Sequence, residues 1–434
     1  MGTHNERVAR GTGSRAERKE LFVRRTAPWS IALVASLALS TAGAAAATAA
    51  PSPSPASASA AGSALTASGY RYDLATGTTN DPRAAARVAA LRAHLPADWR
   101  AREAAALSRF GVEASAPREA LGRAIDGSQY QCAPTKLDAF VDSALAGIDP
   151  SSLFILSLVG GLDFPTYDAL LFGTSGDPAY ALTKASRNEL TSSFRAAQKF
   201  WDTDGSNIQL MAMHGDLMLD RARLTRLVAV LYGVSQADAA EVADLVVDVV
   251  SSDPGLAGGG NPIFTLNAFA FSGVGETDPV ISALPDKLVF GDGILQALGA
   301  IGVGDVGPRA VLGHEYAHHV QYDRSLFDSP LTGPEATRRT ELMADAFGTY
   351  FVTHKRGLAL NTRRVLEAEQ SFYQVGDCAF TNPGHHGTPN QRLRASAWGS
   401  GVAADAQKQG HVLPSLTLDR QFEAALPGFV APDA

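Results

Sequence analysis

The segment Ala310–Asp323, AVLGHEYAHHVQYD, constrains the fold of this chain more than any other. It contains His314, Glu315 and His318 in the pattern H-E-x-x-H, and on a helix this spacing places both imidazoles on one face. Two rings one turn apart can reach one Zn²⁺ at ~2.1 Å each. Glu315 is rotated by about 100° from His314, so it would flank the metal, where the general base for a metal-activated water belongs. The segment predicts a metal-binding helix over residues 308 to about 322.

The next helical segment offers the third ligand that a catalytic zinc needs. TELMADAFGTYF is apolar nearly all the way round, which predicts a buried helix that begins at Pro334 and ends near Gly357. Glu341 and Asp345 are four residues apart on one face of this helix, and buried acids are costly unless they are paired or metal-bound. We predict Glu341 as the third ligand and Asp345 as the hydrogen-bond acceptor of a ligand histidine. The alternative for Glu341 is a salt bridge to an arginine such as Arg338.

These two helices resemble those of the gluzincin-type zinc metallopeptidases, in particular the neutral zinc metallopeptidases of bacteria. HEYAHHVQ followed by ELMAD matches their pattern of H-E-x-x-H on one helix and E-x-x-x-D on the next. LNAFAF resembles the strand that they place before the active-site helix, and HHGTPNQRLRA resembles their C-terminal segment. The resemblance covers about residues 260 to 400. It implies that His314, His318 and Glu341 bind one Zn²⁺ per chain, that Glu315 is the general base, and that the substrate is a peptide or protein.

Three further residues near these motifs have roles that the sequence leaves open. His386 either donates to a developing oxyanion, as a histidine does in some related peptidases, or hydrogen-bonds within a Gly-Thr-Pro turn. Arg392 either supports the structure or binds substrate. His319 points away from the predicted metal-binding face, so we do not expect it to be a ligand. It either pairs with Glu315 across one turn or faces solvent.

The predicted fold class is α+β and predominantly α-helical. Residues 70–253 form a mostly helical N-terminal region, which is a pro-segment, a recognition domain or part of one continuous fold. The pattern changes at residue 254. A β-rich stretch at Ile263–Phe271 and a second short strand that runs into a helix over residues 286–295 precede the metal-binding helix. We therefore predict a zincin-like catalytic domain over residues 254–400, with a small sheet before the active-site helix. Residues 401–434 form a C-terminal tail.

The N-terminus is typical of an export signal. A basic region ending at Arg25 is followed by a charge-free, alanine-rich stretch, which predicts a signal peptide over residues 1–49. An uncleaved anchor is the alternative, but we expect no membrane span after signal removal. Residues 50–69 are rich in Pro, Ser and Ala and predict a disordered linker. The protein is thus expected to be secreted or held in the cell envelope.

Charge and cysteine content limit the partners and the redox state. The formal net charge is −7, and no basic stripe follows the N-terminal region, so we expect no nucleic-acid partner. The chain has only two cysteines, Cys132 and Cys378, which in an exported protein predict a disulfide. Two buried thiols are the alternative.

The leading hypothesis is an exported zinc metallopeptidase. Its rivals are a non-catalytic zinc-containing binding protein of the cell envelope and a zinc amidase acting on a non-peptide substrate. An acid at Glu315 argues against the first rival, because a non-catalytic metal site needs no general base.

Overall fold

The computed structural model of the protein describes residues 64–67, 69–110, 136–372 and 387–431. These residues are mainly helical and form two small sheets, which confirms a predominantly α-helical chain with small sheets. The α-helices are α1 (Pro82–His94), α2 (Trp99–Phe110), α3 (Lys136–Ala146), α4 (Pro150–Leu158), α5 (Phe164–Phe172), α6 (Arg187–Phe200), α7 (Arg221–Tyr232), α8 (Gln236–Ser252), α9 (Asp292–Ala300), α10 (Gly307–Arg324), α11 (Pro334–Thr353), α12 (Thr362–Phe372), α13 (Pro389–Lys408) and α14 (Ser415–Phe429). The strands are β1 (Ala64–Ala67), β2 (Tyr70–Asp73), β3 (Thr78–Thr79), β4 (Gln209–Met213), β5 (Ala268–Phe271) and β6 (Lys287–Gly291).

The first sheet is an antiparallel meander of β1, β2 and β3. Ala67 lies opposite Tyr70 at the turn between β1 and β2. Residues 64–67 are therefore a strand, and the predicted linker over residues 50–69 is wrong for these four positions. Small side chains do not prevent the pairing, because backbone groups make the ladder.

The second sheet positions the metal-binding helix, and its strand order is β4-β6-β5. Strand β4 pairs with β6 in parallel, and β5 pairs with β6 in antiparallel fashion. All residues of β6 are buried, as expected for a strand covered on both faces. Strand β4 comes from the region before residue 254 and the other two strands from the region after it, so the two regions share this sheet.

Two hydrophobic clusters lie on opposite faces of β6. Val289 belongs to the cluster that contains α4, α5, α7 and α8, whereas Leu288 and Phe290 belong to the cluster that contains α10, α11 and α14. Successive side chains of a strand point to opposite faces, so one strand contributes to both clusters. The same alternation directs Phe269 and Phe271 of β5 into the first cluster, while Ala268 packs against the second.

Both predicted site helices are present. Helix α10 runs from Gly307 to Arg324 with Pro308 in its first turn, and α11 runs from Pro334 to Thr353, four residues short of the predicted end. Helix α11 is buried on nearly all sides, as its sequence predicted. Helix α10 packs between α11 on one side and α6 and β5 on the others.

No single helix among the described residues is long and apolar enough to cross a bilayer. By length and composition alone, the bent pair Lys136–Ala146 and Pro150–Leu158 passes the same test, with an angle of 107° between its two helices.

Candidate metal centre

Two glycines allow α10 and α11 to cross at close range. A Cβ atom on Gly348 would lie 2.7 Å from the backbone nitrogen of His314, and one on Gly313 would lie 3.1 Å from the carbonyl oxygen of Gly348. Both distances are shorter than ordinary Cβ contacts, so larger residues would separate the helices. The crossing places the His314 face of α10 against the Asp345 face of α11.

His314, His318 and Glu341 meet at this crossing. The Nε2 atoms of His314 and His318 are 3.1 Å apart. Each histidine Nε2 lies 3.4 Å from a carboxylate oxygen of Glu341, His314 from Oε2 and His318 from Oε1. The ligand atoms of all three lie within 4.8 Å of one another, so the group could hold a metal ion. The sequence-predicted ligand set is thus brought together in space.

Hydrogen bonds fix which nitrogen of each ring faces the cluster. His314 Nδ1 lies 3.0 Å from Asp345 Oδ1, and since a carboxylate accepts, this nitrogen donates. His318 Nδ1 donates to Gln321 Oε1 at 2.8 Å, because the amide of Gln321 is oriented by its own Nε2, which donates to the Thr340 carbonyl. Nε2 is then the nitrogen of each ring that faces the other ring and Glu341, and it offers a lone pair to a metal ion once the ring has lost its proton. Three electron-pair donors that converge in this way fit a cation.

The pKa values of His314 and Glu341 also indicate a site that attracts a cation. Burial alone would lower the pKa of His314, but the hydrogen bonds and charges of Asp345 and Glu341 raise this pKa to about 10. Burial would also raise the pKa of Glu341, yet the adjacent His318, His314 and Arg392 hold it well below its usual range. The metal-free site therefore attracts a proton, and a metal ion would displace that proton on binding.

Arg392 of α13 contacts both buried acids of α11. Its Nε donates to Asp345 Oδ2 at 2.7 Å, and its Nη2 donates to Asp345 Oδ1 at 2.9 Å and to Glu341 Oε2 at 3.2 Å. Arg392 is 5% exposed. Of the two roles that the sequence leaves open for Arg392, these contacts support the structural one. Arg338, the expected alternative partner of Glu341, instead pairs with Glu335.

Glu315 and His319 lie on the flank of α10 that faces the second sheet. His319 is buried, and its Nε2 donates to the carbonyl of Lys287 in β6 at 2.8 Å. Of the two alternatives for His319, exposure to solvent is therefore wrong. Burial lowers the pKa of His319 to about 4, so the ring is neutral. Glu315 precedes His319 by one helical turn and is 7% exposed, which puts it beside the metal ligands on the side of β5 and β6.

Several predicted residues lie outside the described part of the chain. These are the candidate oxyanion donor His386, both cysteines of the expected disulfide (Cys132 and Cys378), and the predicted signal peptide over residues 1–49.

One residue of the site was not anticipated from sequence. Gln321 is fully buried, and it orients His318 in the way that Asp345 orients His314. Its position three residues after His318 on the same helix was the available signal. The chain matches no known family model, no curated protein and no solved structure. The residues of the site, and their geometry, therefore carry the functional argument.

Proposed function

We propose that this protein is an exported zinc metallopeptidase with Glu315 as its general base. The observation that carries the proposal is the convergence of the Nε2 atoms of His314 and His318 on the Glu341 carboxylate, with a second buried acid, Asp345, beside them. When bound, zinc would supply a Lewis acid that polarises the substrate carbonyl and lowers the pKa of a water. Two nitrogens and a carboxylate oxygen are a ligand set used by catalytic zinc.

The protein's own residues have separate tasks in this proposal. Glu315 removes the proton from the attacking water and delivers it to the leaving amine. Asp345 and Gln321 keep His314 and His318 in the tautomer that presents Nε2 to the metal. The burial of Glu341 and Glu315 keeps bulk water away from the charges that change during the reaction.

In the part of the chain that the structure describes, β5 is an edge strand to which a peptide substrate could bind. This strand is at the end of the β4-β6-β5 sheet and packs against α10. An extended peptide could add to its outer edge through backbone hydrogen bonds, which gives affinity with little demand on sequence.

The decisive experiment combines metal analysis with cleavage of a peptide library by wild type and Glu315→Gln. We expect one zinc per chain in both proteins and a loss of cleavage of about 100- to 10,000-fold in the variant, the range for a removed general base. Glu367→Gln is the matched control, because it makes the same substitution at a half-buried acid that pairs with Arg364 and is not part of the metal centre. It should leave cleavage unchanged.

Two outcomes would contradict the proposal. Wild type that binds no stoichiometric zinc under zinc-replete conditions would remove the metal centre. Zinc binding without any chelator-sensitive cleavage of library peptides would favour a non-catalytic binding protein or an amidase.

A further inference from the structure

One nitrogen of Arg392 joins the two buried acids of α11. Nη2 lies 2.9 Å from Asp345 Oδ1 and 3.2 Å from Glu341 Oε2. Each of these oxygens also faces His314, Asp345 Oδ1 at its Nδ1 and Glu341 Oε2 at its Nε2. The guanidinium therefore contacts both the ligand carboxylate and the carboxylate that orients a ligand histidine.

These acids need a cation even when no metal is bound. The side chains of Asp345 and Glu341 are 0% and 5% exposed, and Arg392 is 6% exposed. A buried carboxylate without a partner is strongly unfavourable, whereas a planar guanidinium can bond two carboxylate oxygens at once.

The N-terminal cap of α13 and its close packing against α11 place Arg392 next to the two acids. Thr388 caps α13 through a capping box with Gln391, so Arg392 lies in the first turn of the helix. Further along, a Cβ atom on Gly399 would be 2.1 Å from the carbonyl oxygen of Ala346 in α11. Helices α13 and α11 therefore pack with their backbones close together, and the guanidinium lies between them.

We infer that Arg392 is a positioning residue that holds Glu341 and Asp345 in the metal-binding arrangement before a metal arrives. Without it, the two carboxylates would repel each other, and Glu341 would turn away from the histidines. The inference rests on the proposed function, because it assumes that His314, His318 and Glu341 bind a metal ion. It deepens that function by assigning the residue that preorganises the ligands.

The test compares Arg392→Gln and Arg392→Lys with wild type. Zn²⁺ affinity is measured by competition with a chromophoric chelator, and coordination is followed by the visible absorption of the Co²⁺-loaded proteins. We expect Arg392→Gln to weaken Zn²⁺ binding by about 10- to 100-fold, as for other groups that support metal ligands, and to alter the Co²⁺ spectrum. Lysine keeps the positive charge but lacks the planar guanidinium that bonds two carboxylates at once. Arg392→Lys should therefore bind Zn²⁺ more tightly than Arg392→Gln and less tightly than wild type.

Arg394→Gln is the matched control. Arg394 lies on the same helix, but it donates to the carbonyls of Phe429 and Ala431 at the end of α14. Its loss should lower the melting temperature and leave Zn²⁺ affinity within about twofold of wild type. Wild-type Zn²⁺ affinity in Arg392→Gln, or an equal loss of affinity in Arg394→Gln, would overturn the inference.

Crystal structures of metal-free wild type and Arg392→Gln separate this inference from the proposed function. We expect the Glu341 carboxylate to move away from His314 and His318 in the variant. An unmoved carboxylate would overturn the positioning role even if zinc binds. A wild-type protein that binds no zinc would contradict the proposed function. The position of Glu341 in the two metal-free structures would still show whether Arg392 holds its carboxylate in place.

Discussion

At the scale of single residues, the candidate metal centre depends on how each histidine is held. His318 is oriented by Gln321, a fully buried amide whose two ends bond to His318 and to the Thr340 carbonyl. A neutral amide accepts from Nδ1 less strongly than a carboxylate does, so His314 and His318 have supports of different strength. The position of the Nε2 lone pair of His318 nevertheless depends on this one amide.

We expect Gln321→Leu to weaken Zn²⁺ binding by about 10-fold or more, because His318 loses the acceptor that sets its tautomer. The variant should also lose about 1–3 kcal/mol of stability, since His318 Nδ1 loses its buried acceptor and the Thr340 carbonyl loses its side-chain donor. Chelator competition and chemical denaturation measure the two effects.

Gln407→Leu is the control for this prediction. The amide of Gln407 likewise bonds at both ends, to Lys355 N and to the Ala403 carbonyl, and neither partner is a residue of the metal centre. It should lower stability without a change in Zn²⁺ affinity. Equal affinities of wild type and Gln321→Leu would contradict the role of the amide.

Residue spacing explains which parts of the site could be predicted from sequence. His314, His318, Glu341 and Asp345 lie on two helices at intervals of four, and helical periodicity converts such intervals into a shared face. Arg392 lies on a third helix, 47 residues beyond Asp345. No periodicity relates positions on different helices, so its partners required the tertiary structure.

At the scale of secondary-structure elements, the site depends on the distance between α10 and α11. Gly313 and Gly348 set that distance, because each lies where the other helix's backbone approaches. A Cβ atom on Gly348 would lie 2.7 Å from the backbone nitrogen of His314 and 2.9 Å from the carbonyl carbon of Gly313. Backbone atoms cannot rotate away, so the helices would have to move apart.

Gly348→Ala should therefore destabilise the protein by about 1–3 kcal/mol, the usual cost of overpacking. The intrinsic helix preference of alanine offsets at most about 1 kcal/mol of this cost. The movement should also weaken Zn²⁺ binding, since it separates Glu341 from both histidines. Denaturation curves and chelator competition test the two expectations.

Gly401→Ala serves as the comparison for Gly348→Ala. Gly401 lies within α13 and is exposed, and a Cβ atom at this position would have no described atom outside its own helical segment within 4 Å. This substitution should be neutral or stabilising by up to about 1 kcal/mol. A Gly348→Ala protein as stable as Gly401→Ala would show that the helix crossing tolerates a side chain.

The elements differ in how well the sequence predicted them. Helices α10 and α11 and strands β5 and β6 were expected, because local patterns of prolines, apolar periodicity and β-branched or aromatic residues indicate them. Strand β4 was not expected. Its sequence QLMAM has no alternation and no β-branched residue, and it becomes a strand only through its pairing with β6, far along the chain.

At the scale of the whole molecule, Lys287 connects the two hydrophobic clusters. Its Nζ donates to three carbonyls at the end of α5, those of Ala169 (3.0 Å), Leu170 (2.5 Å) and Gly173 (2.7 Å). Its own carbonyl accepts from His319 of the metal helix. Burial lowers the pKa of Lys287 to about 8, so at neutral pH the ammonium still has one N–H for each of the three carbonyls. One residue of β6 thus fixes α5 on one face of the sheet and α10 on the other.

A second polar link, between His214 and Asp292, joins the ends of the parallel strands. His214 follows β4, and Asp292 follows β6 at the first residue of α9. The ring nitrogens of His214 lie 2.6 Å from Asp292 Oδ2 and 3.0 Å from the Ala181 carbonyl. Both partners are acceptors, so only the imidazolium can donate to both.

This link should make the stability of the whole chain depend on pH. The hydrogen bond to Asp292 raises the pKa of His214 above its ordinary value of 6.5, although burial opposes this. The folded protein therefore keeps the proton where the unfolded chain has lost it, so the stabilisation is complete below pH 6.5 and disappears as pH rises through the folded pKa. By chemical denaturation across this range, we expect wild type to exceed His214→Gln by about 1–3 kcal/mol at the acidic end and the gap to narrow at the alkaline end. Asp292→Asn should likewise be less stable than wild type, by more at the acidic end of the range than at the alkaline end. A difference that stays constant with pH would show that folding does not shift the pKa of His214.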